Sequence, residues 1–164
     1  AKPSDQPEWV KEVGFGRQSV AITLENCYDD WCMSILAKEL NKEEDYQYYL
    51  KRALNYQNVF DTATGFMRPK TADGRWIEPF DPIWSGGQGR REFYTENNGW
   101  NYTWYVPHDV EGLIGLMGGR EKFTDKLQTM FETNVPLYQK YDFLKQYPDM
   151  TGWIGMYSHG NEIT

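Results

Sequence analysis

Apolar residues recur at three- and four-residue spacing from Val20 to Leu40, where Val20, Leu24, Cys27, Tyr28, Trp31 and Ile35 line up as one stripe. That period predicts an amphipathic helix. Glu25, Asp29 and Asp30 share an adjoining face, with Glu25 and Asp29 four apart and repelling each other. This is either a solvated acidic face or the polar wall of a cavity. A second helix is expected from Glu44 to Phe60, with Asn41 as N-cap and Glu43, Glu44 and Asp45 in the first turn, where the helix dipole favours acids. Tyr46, Tyr49, Leu50, Ala53, Leu54 and Asn58 follow its buried side. The short link makes the two an antiparallel pair. Later in the chain, Pro107 starts a helix with His108 and Asp109 in its first turn and Val110, Leu113, Ile114 and Met117 inside. Gly118-Gly119 ends it. Glu121 to Glu132 forms another, with Phe123, Leu127, Met130 and Phe131 buried.

The stretches between have a different pattern. Residues 1–18 read as a lead-in that is extended at first and then broken at Gly14-Phe15-Gly16. Gly65 to Pro69 and Arg75 to Pro79 flank the turn signal Ala72-Asp73-Gly74, which predicts a small hairpin whose prolines confine it to an edge. Asp81 to Gly89 is rich in glycine but lacks the Lys-Ser/Thr ending of a phosphate loop. Long irregular connections of this kind are often functional. Val135 to Tyr147 reads as mixed and partly helical, and Pro148 to Thr164 as a Gly-rich loop. The fold class that follows is mainly α: helical hairpins forming part of an (α/α)6 toroid over residues 19–164, with a small β-hairpin in a long loop. Both ends read as edges of a larger chain.

Composition sharpens this picture. Of 164 residues, 16% are aromatic, including seven Trp and twelve Tyr. That excess serves either a Trp- and Tyr-rich core or platforms for sugars. The net charge of −7 argues against a nucleic-acid or anionic-membrane partner, since both need a basic face, and no apolar run approaches membrane-spanning length. Cys27 and Cys32 are five apart, too far for a bridge on a helix, and are expected as free buried thiols.

The candidate chemistry gathers in Tyr94 to Val110. Five of these residues are aromatic, and one carboxylate, Glu96, sits among amides. Glycosidic cleavage needs a carboxylic acid to protonate the departing oxygen and a second carboxylate to act on the other side. Aromatic surroundings keep such an acid protonated near neutral pH. The plain alternative is a loop Glu capping a turn. His108 and Asp109 could form an acid–base pair, but behind Pro107 they are better placed to satisfy helix N-terminal donors, and Asp109 also suits a sugar hydroxyl. His159-Gly160-Asn161-Glu162 offers hard oxygen ligands suited to calcium.

These segments together resemble glycoside hydrolase family 92, a family of α-mannosidases. Thr23 to Cys32 is similar to its TLEYAYDDW-type segment, and Gly65 to Pro69 also matches. Thr95 to Trp104 resembles TEGNAWQYTW. Pro107 to Val110, Gly112 to Ile114 and Gly118-Gly119 continue the likeness, and Ser158 to Glu162 is similar to the start of HGNEPSHH. The resemblance implies a calcium-dependent, inverting exo-α-mannosidase acting on mannose-containing glycans. It implies Glu96 as general acid, Trp100, His108, Asp109 and His159 as substrate contacts, and Asn161 and Glu162 as calcium ligands. Asn98-Gly99 stands where Asn-Ala is usual, and Ile163-Thr164 replaces Pro-Ser. The GNDD-type segment bearing the general base is missing from this chain, as are the N-terminal β-rich domain and early toroid helices. The remaining parts of its own catalytic and β-rich domains are therefore expected partners, and the chain alone is expected to be inactive. Family habit implies a periplasmic or extracellular location, although this chain carries no signal peptide. The competing readings are a non-catalytic glycan-binding helical module and a helical scaffold whose Trp84, Trp100 and Trp104 are simply core.

Overall fold

The computed structural model describes residues 18–83, 93–95, 97–136 and 151–153. Helix α1 spans Ser19–Glu39, close to the range its stripe predicts. Its first half buries Val20, Ala21, Leu24 and Cys27 in a core shared with Tyr56, Phe60, Met67, Tyr94, Tyr102, Val106 and Leu113. Its second half buries Asp30, Ser34 and Ala37 instead. The buried face there is the one turned to helix α2 (Glu43–Ala53), and it is lined by small and polar groups. Ile35, expected inside, is therefore 42% exposed. The acidic face divides as well: Asp30 is buried and paired with Arg52 at 2.9 Å, whereas Glu25 and Asp29 face outward. Cys27 is buried as expected, but Cys32 is exposed because it falls opposite the core stripe. Burial pushes the Cys27 thiol up to about 11.

Asn41 takes a different role from the expected N-cap. Its φ of 55° is left-handed, and the backbone N–H of Lys42 donates to Ala37 O at 2.8 Å. Asn41 thus closes α1, a role that suits a residue tolerant of that conformation. In α2, acids occupy the first turn and Lys51 and Arg52 the last, as the dipole prefers. The chain then tightens into a 3-10 turn over Leu54–Asn58. The change from 3.6 to 3.0 residues per turn rotates the buried side. Tyr56 goes inside, and Leu54 and Asn58, expected inside, are exposed.

Two hairpins follow. Strands β1 (Phe60–Asp61) and β2 (Phe66–Met67) pair antiparallel, in a turn that the sequence pattern did not reveal. The predicted hairpin forms a single bridge between Lys70 and Trp76, with Thr71 N donating to Arg75 O at 2.8 Å. Gly74 sits at φ 86° in its turn, a conformation open to glycine. Arg68, 3% exposed, ties both hairpins together. Its Nη1 bonds Asp61 at 2.9 Å, and its Nη2 bonds Glu78 at 2.6 Å and the Ile77 carbonyl at 2.9 Å. Its guanidinium lies 4.5 Å from the Phe80 ring centroid.

A short helix α3 covers Gly99–Tyr102. Helix α4 (Val110–Met117) starts after Asp109 rather than at Pro107, since Asp109 is the N-cap. Gly118 and Gly119, both at positive φ, link it to helix α5 (Arg120–Glu132). Val110 and Phe131, expected inside, are exposed at the helix ends. A second cluster packs Phe66, Trp100 and Met130 with Phe80, Ile83, Trp104 and Leu127. Strands β3 (Asn134–Pro136) and β4 (Thr151–Trp153) pair antiparallel in stretches expected to be partly helical and loop. The glycine-rich loop beyond Ile83 lies outside the described residues.

Candidate active site

Glu96 itself lies outside the described residues, as do His159, Asn161 and Glu162. The residues on either side of Glu96 are described, and each is anchored. The Phe93 carbonyl accepts from Val20 N at 3.0 Å and Ala21 N at 3.2 Å. It thereby satisfies N-terminal donors of α1, whose N-cap Gln18 makes no side-chain cap. Tyr94 is buried, and its hydroxyl donates to the Met67 carbonyl at 2.7 Å. Burial pushes the Tyr94 hydroxyl well above its ordinary range. The Thr95 carbonyl accepts from the Tyr102 hydroxyl at 3.3 Å.

Beyond Glu96, Asn97 Oδ1 accepts from Asn98 N at 3.1 Å, and Asn98 Oδ1 accepts from Asn101 N at 3.1 Å, capping α3. Asn98 is 0% exposed, and its Nδ2 has no partner among the described residues. Gly99 N donates to Pro82 O at 2.9 Å, so the segment also leans on the preceding loop. A Cβ at Gly99 would lie 3.1 Å from Tyr94 Oη and 3.2 Å from Pro82 O, which accounts for glycine at this close approach. Thr103 Oγ1 donates to Gly99 O at 2.6 Å and accepts from Met67 N at 3.1 Å. The described backbone before and after position 96 is thus held by α1, β2 and α3.

The aromatic residues of the segment divide into two groups. Tyr102 stacks on Tyr94 with centroids 5.7 Å apart at 28°, and its hydroxyl reaches Glu25 Oε1 at 3.2 Å. Burial, with the Glu25 charge adding to it, pushes Tyr102 up to about 12. Tyr105 lies at 61° to Tyr102, and burial and then the charges of Glu25 and Asp29 push its hydroxyl up too. Trp100 is 9% exposed and sits edge-on to Phe66 at 4.8 Å, with Lys126 Nζ 4.6 Å from its ring centroid. The described residues therefore cover Trp100 in the second cluster and do not present its face. Burial lowers the Lys126 amine to about 8, while the Phe66 ring, 3.3 Å from Nζ, favours its charged form. Trp104 is half-buried and its Nε1 donates to Met130 Sδ at 2.8 Å.

His108 and Asp109 form a third group at the junction of α2 and α4. His108 Nε2 lies 2.9 Å from the Ala53 carbonyl, which can only accept. The proton is therefore on Nε2, and in the neutral ring Nδ1 is an acceptor, buried and without a partner among the described residues. The ring lies 6.3 Å from Tyr28 and 6.5 Å from Trp31, two rings that themselves stack at 6.0 Å. Both Asp109 oxygens are engaged, Oδ2 by the Tyr56 hydroxyl at 2.7 Å and Oδ1 by Gly112 N at 3.0 Å. Burial and the Asp109 hydrogen bond push Tyr56 up to about 12.

Sequence reading singled out Trp100, His108 and Asp109, and the structure brings His108 and Asp109 together and sets Trp100 in the second cluster. It missed Tyr56, and it placed Tyr102 and Arg68 in the segments that carry the resemblance without giving either a role. Among the described residues there is no group of three or more His, Cys, Asp or Glu that could hold a metal, and no helix long and apolar enough to cross a membrane.

A family model described as the glycosyl hydrolase family 92 catalytic domain matches residues 3–164. The chain is similar to a solved family GH92 α-mannosidase of Bacteroides thetaiotaomicron in complex with mannoimidazole, with 38% identity over 90% of this chain and 19% of that one, at a TM-score of 0.73. It is also similar to a family GH92 inverting mannosidase of Bacteroides thetaiotaomicron VPI-5482, with 32% identity over 94% of this chain and 21% of that one, at a TM-score of 0.69. Among curated proteins it is 33% identical, over 74% of its length, to an uncharacterized secreted glycosidase of Arthroderma benhamiae, and it covers 18% of that protein. The chain thus spans about one fifth of the length of these relatives. The likenesses bear out the expected fold class, mainly α with helical hairpins forming part of an α/α toroid.

Proposed function

The chain belongs to glycosyl hydrolase family 92, and from that premise we propose that it supplies the acid side of an inverting, calcium-dependent exo-α-mannosidase site. In this reading Glu96 protonates the oxygen that leaves when a terminal α-mannosyl linkage breaks. A second carboxylate, outside residues 1–164, activates the attacking water from the opposite face. Inversion requires the two carboxyl groups to stand about 6.5–9.5 Å apart, which leaves room for that water. Released mannose is then the β-anomer.

The observation that carries the proposal is the catalytic-domain match across nearly the whole chain. The anchored backbone on both sides of Glu96 supports it, because a general acid acts only from a fixed position. The buried rings of Tyr94 and Tyr102 border that backbone, and apolar surroundings favour the protonated form that an acid needs. His108, with its fixed tautomer, would accept from a sugar hydroxyl, and His159 would add a further contact, whereas Trp100 is taken up by the second cluster and Asp109 by Tyr56 and the cap of α4. Calcium would be held by the oxygen donors of Asn161 and Glu162, a set of hard ligands suited to it. When bound it would polarise sugar hydroxyls, and no step above passes through it. The secreted relative supports an extracellular or periplasmic location.

The test is hydrolysis of terminal α-mannosides by the full-length protein carrying this chain, followed by NMR as mannose appears. The proposal expects β-mannose first, and loss of activity in chelator that calcium restores. Mannoside binding without hydrolysis would assign the chain to a glycan-binding module. α-Mannose as first product would contradict inversion.

A further inference from the structure

The Tyr102 hydroxyl stands between two acceptors from different parts of the chain. Glu25 Oε1 on α1 is 3.2 Å away and the Thr95 carbonyl 3.3 Å away. A phenol has one proton, so the two oxygens share it. The ring that carries the hydroxyl is itself fixed, buried and stacked on Tyr94. The hydroxyl keeps its proton throughout the neutral range, since its pKa is pushed up to about 12.

The Thr95 carbonyl belongs to the peptide whose nitrogen is that of Glu96. Rotation of that peptide moves the Glu96 Cα and everything attached to it. Phe93 is tied to α1 and Tyr94 to Met67, which leaves the Thr95 carbonyl as the last anchored group before the glutamate. We infer that Tyr102 is a positioning residue for Glu96: its hydroxyl fixes the Thr95–Glu96 peptide, and Glu25 competes for the same proton. The inference rests on the reading of Glu96 as general acid and adds a residue that acts through it. Glu25 and Thr95 lie 77 and 7 positions from Tyr102, so the contact joins α1 to the acid segment through one oxygen.

The test uses the full-length enzyme and a series of aryl α-mannosides whose phenols differ in acidity. A misplaced acid hurts poor leaving groups most, because good ones depart without protonation. Tyr102→Phe keeps the ring and removes the hydroxyl. It is expected to lower kcat on poor leaving groups about tenfold to a hundredfold with KM within about twofold, and to steepen the leaving-group dependence. Leu113→Ala, which loosens the same buried core without removing a hydrogen bond of the acid segment, serves as the structural control, with the slope unchanged. Glu96→Gln measured on the same series separates the two claims. Wild-type slope in Tyr102→Phe beside an impaired Glu96→Gln overturns this inference alone. An unimpaired Glu96→Gln overturns the reading beneath it as well. If Tyr102→Phe does not fold, Glu25→Gln decides. A weaker competing acceptor passes the proton to Thr95, so its slope should be no steeper than wild type, and a slope as steep as that of Glu96→Gln overturns the inference.

Discussion

The Tyr56 hydroxyl donates to Asp109 Oδ2 at 2.7 Å across 53 positions of sequence, and the other oxygen of the same carboxylate caps α4 through Gly112 N at 3.0 Å. One side chain thus joins the end of the first helical hairpin to the start of the second. Gly112 is part of the joint. A Cβ there would run into both Asp109 Oδ2 and the Tyr56 hydroxyl.

Tyr56→Phe should therefore destabilise the full-length protein by about 1.5–3 kcal/mol, the usual worth of a hydrogen bond to a charged group. Asp109→Ala also removes the cap, adding about 0.5–2 kcal/mol. The double variant should cost less than the sum, because both changes remove the same bond. Gly112→Ala should fall in the same range as Asp109→Ala. Urea unfolding of the four variants checks this, and additive losses from Tyr56 and Asp109 would show that the bond does not form.

Arg68 offers a second prediction. It is buried against Asp61 and Phe80 and bonds Glu78 as well. Arg68→Ala leaves Asp61 buried and unpaired, which should cost about 3–5 kcal/mol. Arg68→Lys should recover only part of that, since one ammonium cannot bridge Asp61, Glu78 and the Ile77 carbonyl as the fork does. Burial alone would raise the Asp61 carboxyl, but the bonds from Ala63 N, Arg68 and Thr64 outweigh it and hold it below its ordinary value. Its contribution is thus present above the ordinary carboxylate range and lost on acidification through the lowered value. Arg68→Ala should flatten the acid limb of a stability–pH curve.

At the alkaline end the tyrosines dominate. Tyr56 and Tyr102 are raised to about 12 from 10.0. The unfolded chain releases these protons first, so the folded state binds more protons between those values and stability falls as pH rises through them. Tyr94 adds in the same direction. Thermal melts across this range should show a decline that Tyr102→Phe makes shallower. A flat profile would show that these hydroxyls titrate normally.

The pattern of apolar residues located α1 and α5 to within a residue or two because both run long on one period. It placed the turn at Gly74 because that turn needs a local φ that few residues accept. It misjudged Asn41, since the same polar residue suits the close of one helix and the start of the next. It misjudged Leu54 because a switch from α to 3-10 leaves no mark in spacing. The bonds from Tyr102 to Glu25 and from Tyr56 to Asp109 were not legible at all. A tyrosine announces a hydroxyl, but its partner 77 or 53 positions away is chosen by the path of the whole chain. The candidate chemistry was legible through local motifs, while the contacts that hold it in place were not.

The central claim is that Glu96 protonates the leaving oxygen, and the most direct measurement is the rate of Glu96→Gln in the full-length enzyme on natural mannosides and on activated aryl mannosides. Gln keeps the shape and cannot give up a proton. The account predicts a loss of about 100- to 10,000-fold on natural mannosides, with a much smaller loss on substrates whose leaving group needs no acid. Near-wild-type turnover of natural mannosides, or an equal loss on both classes, would contradict it.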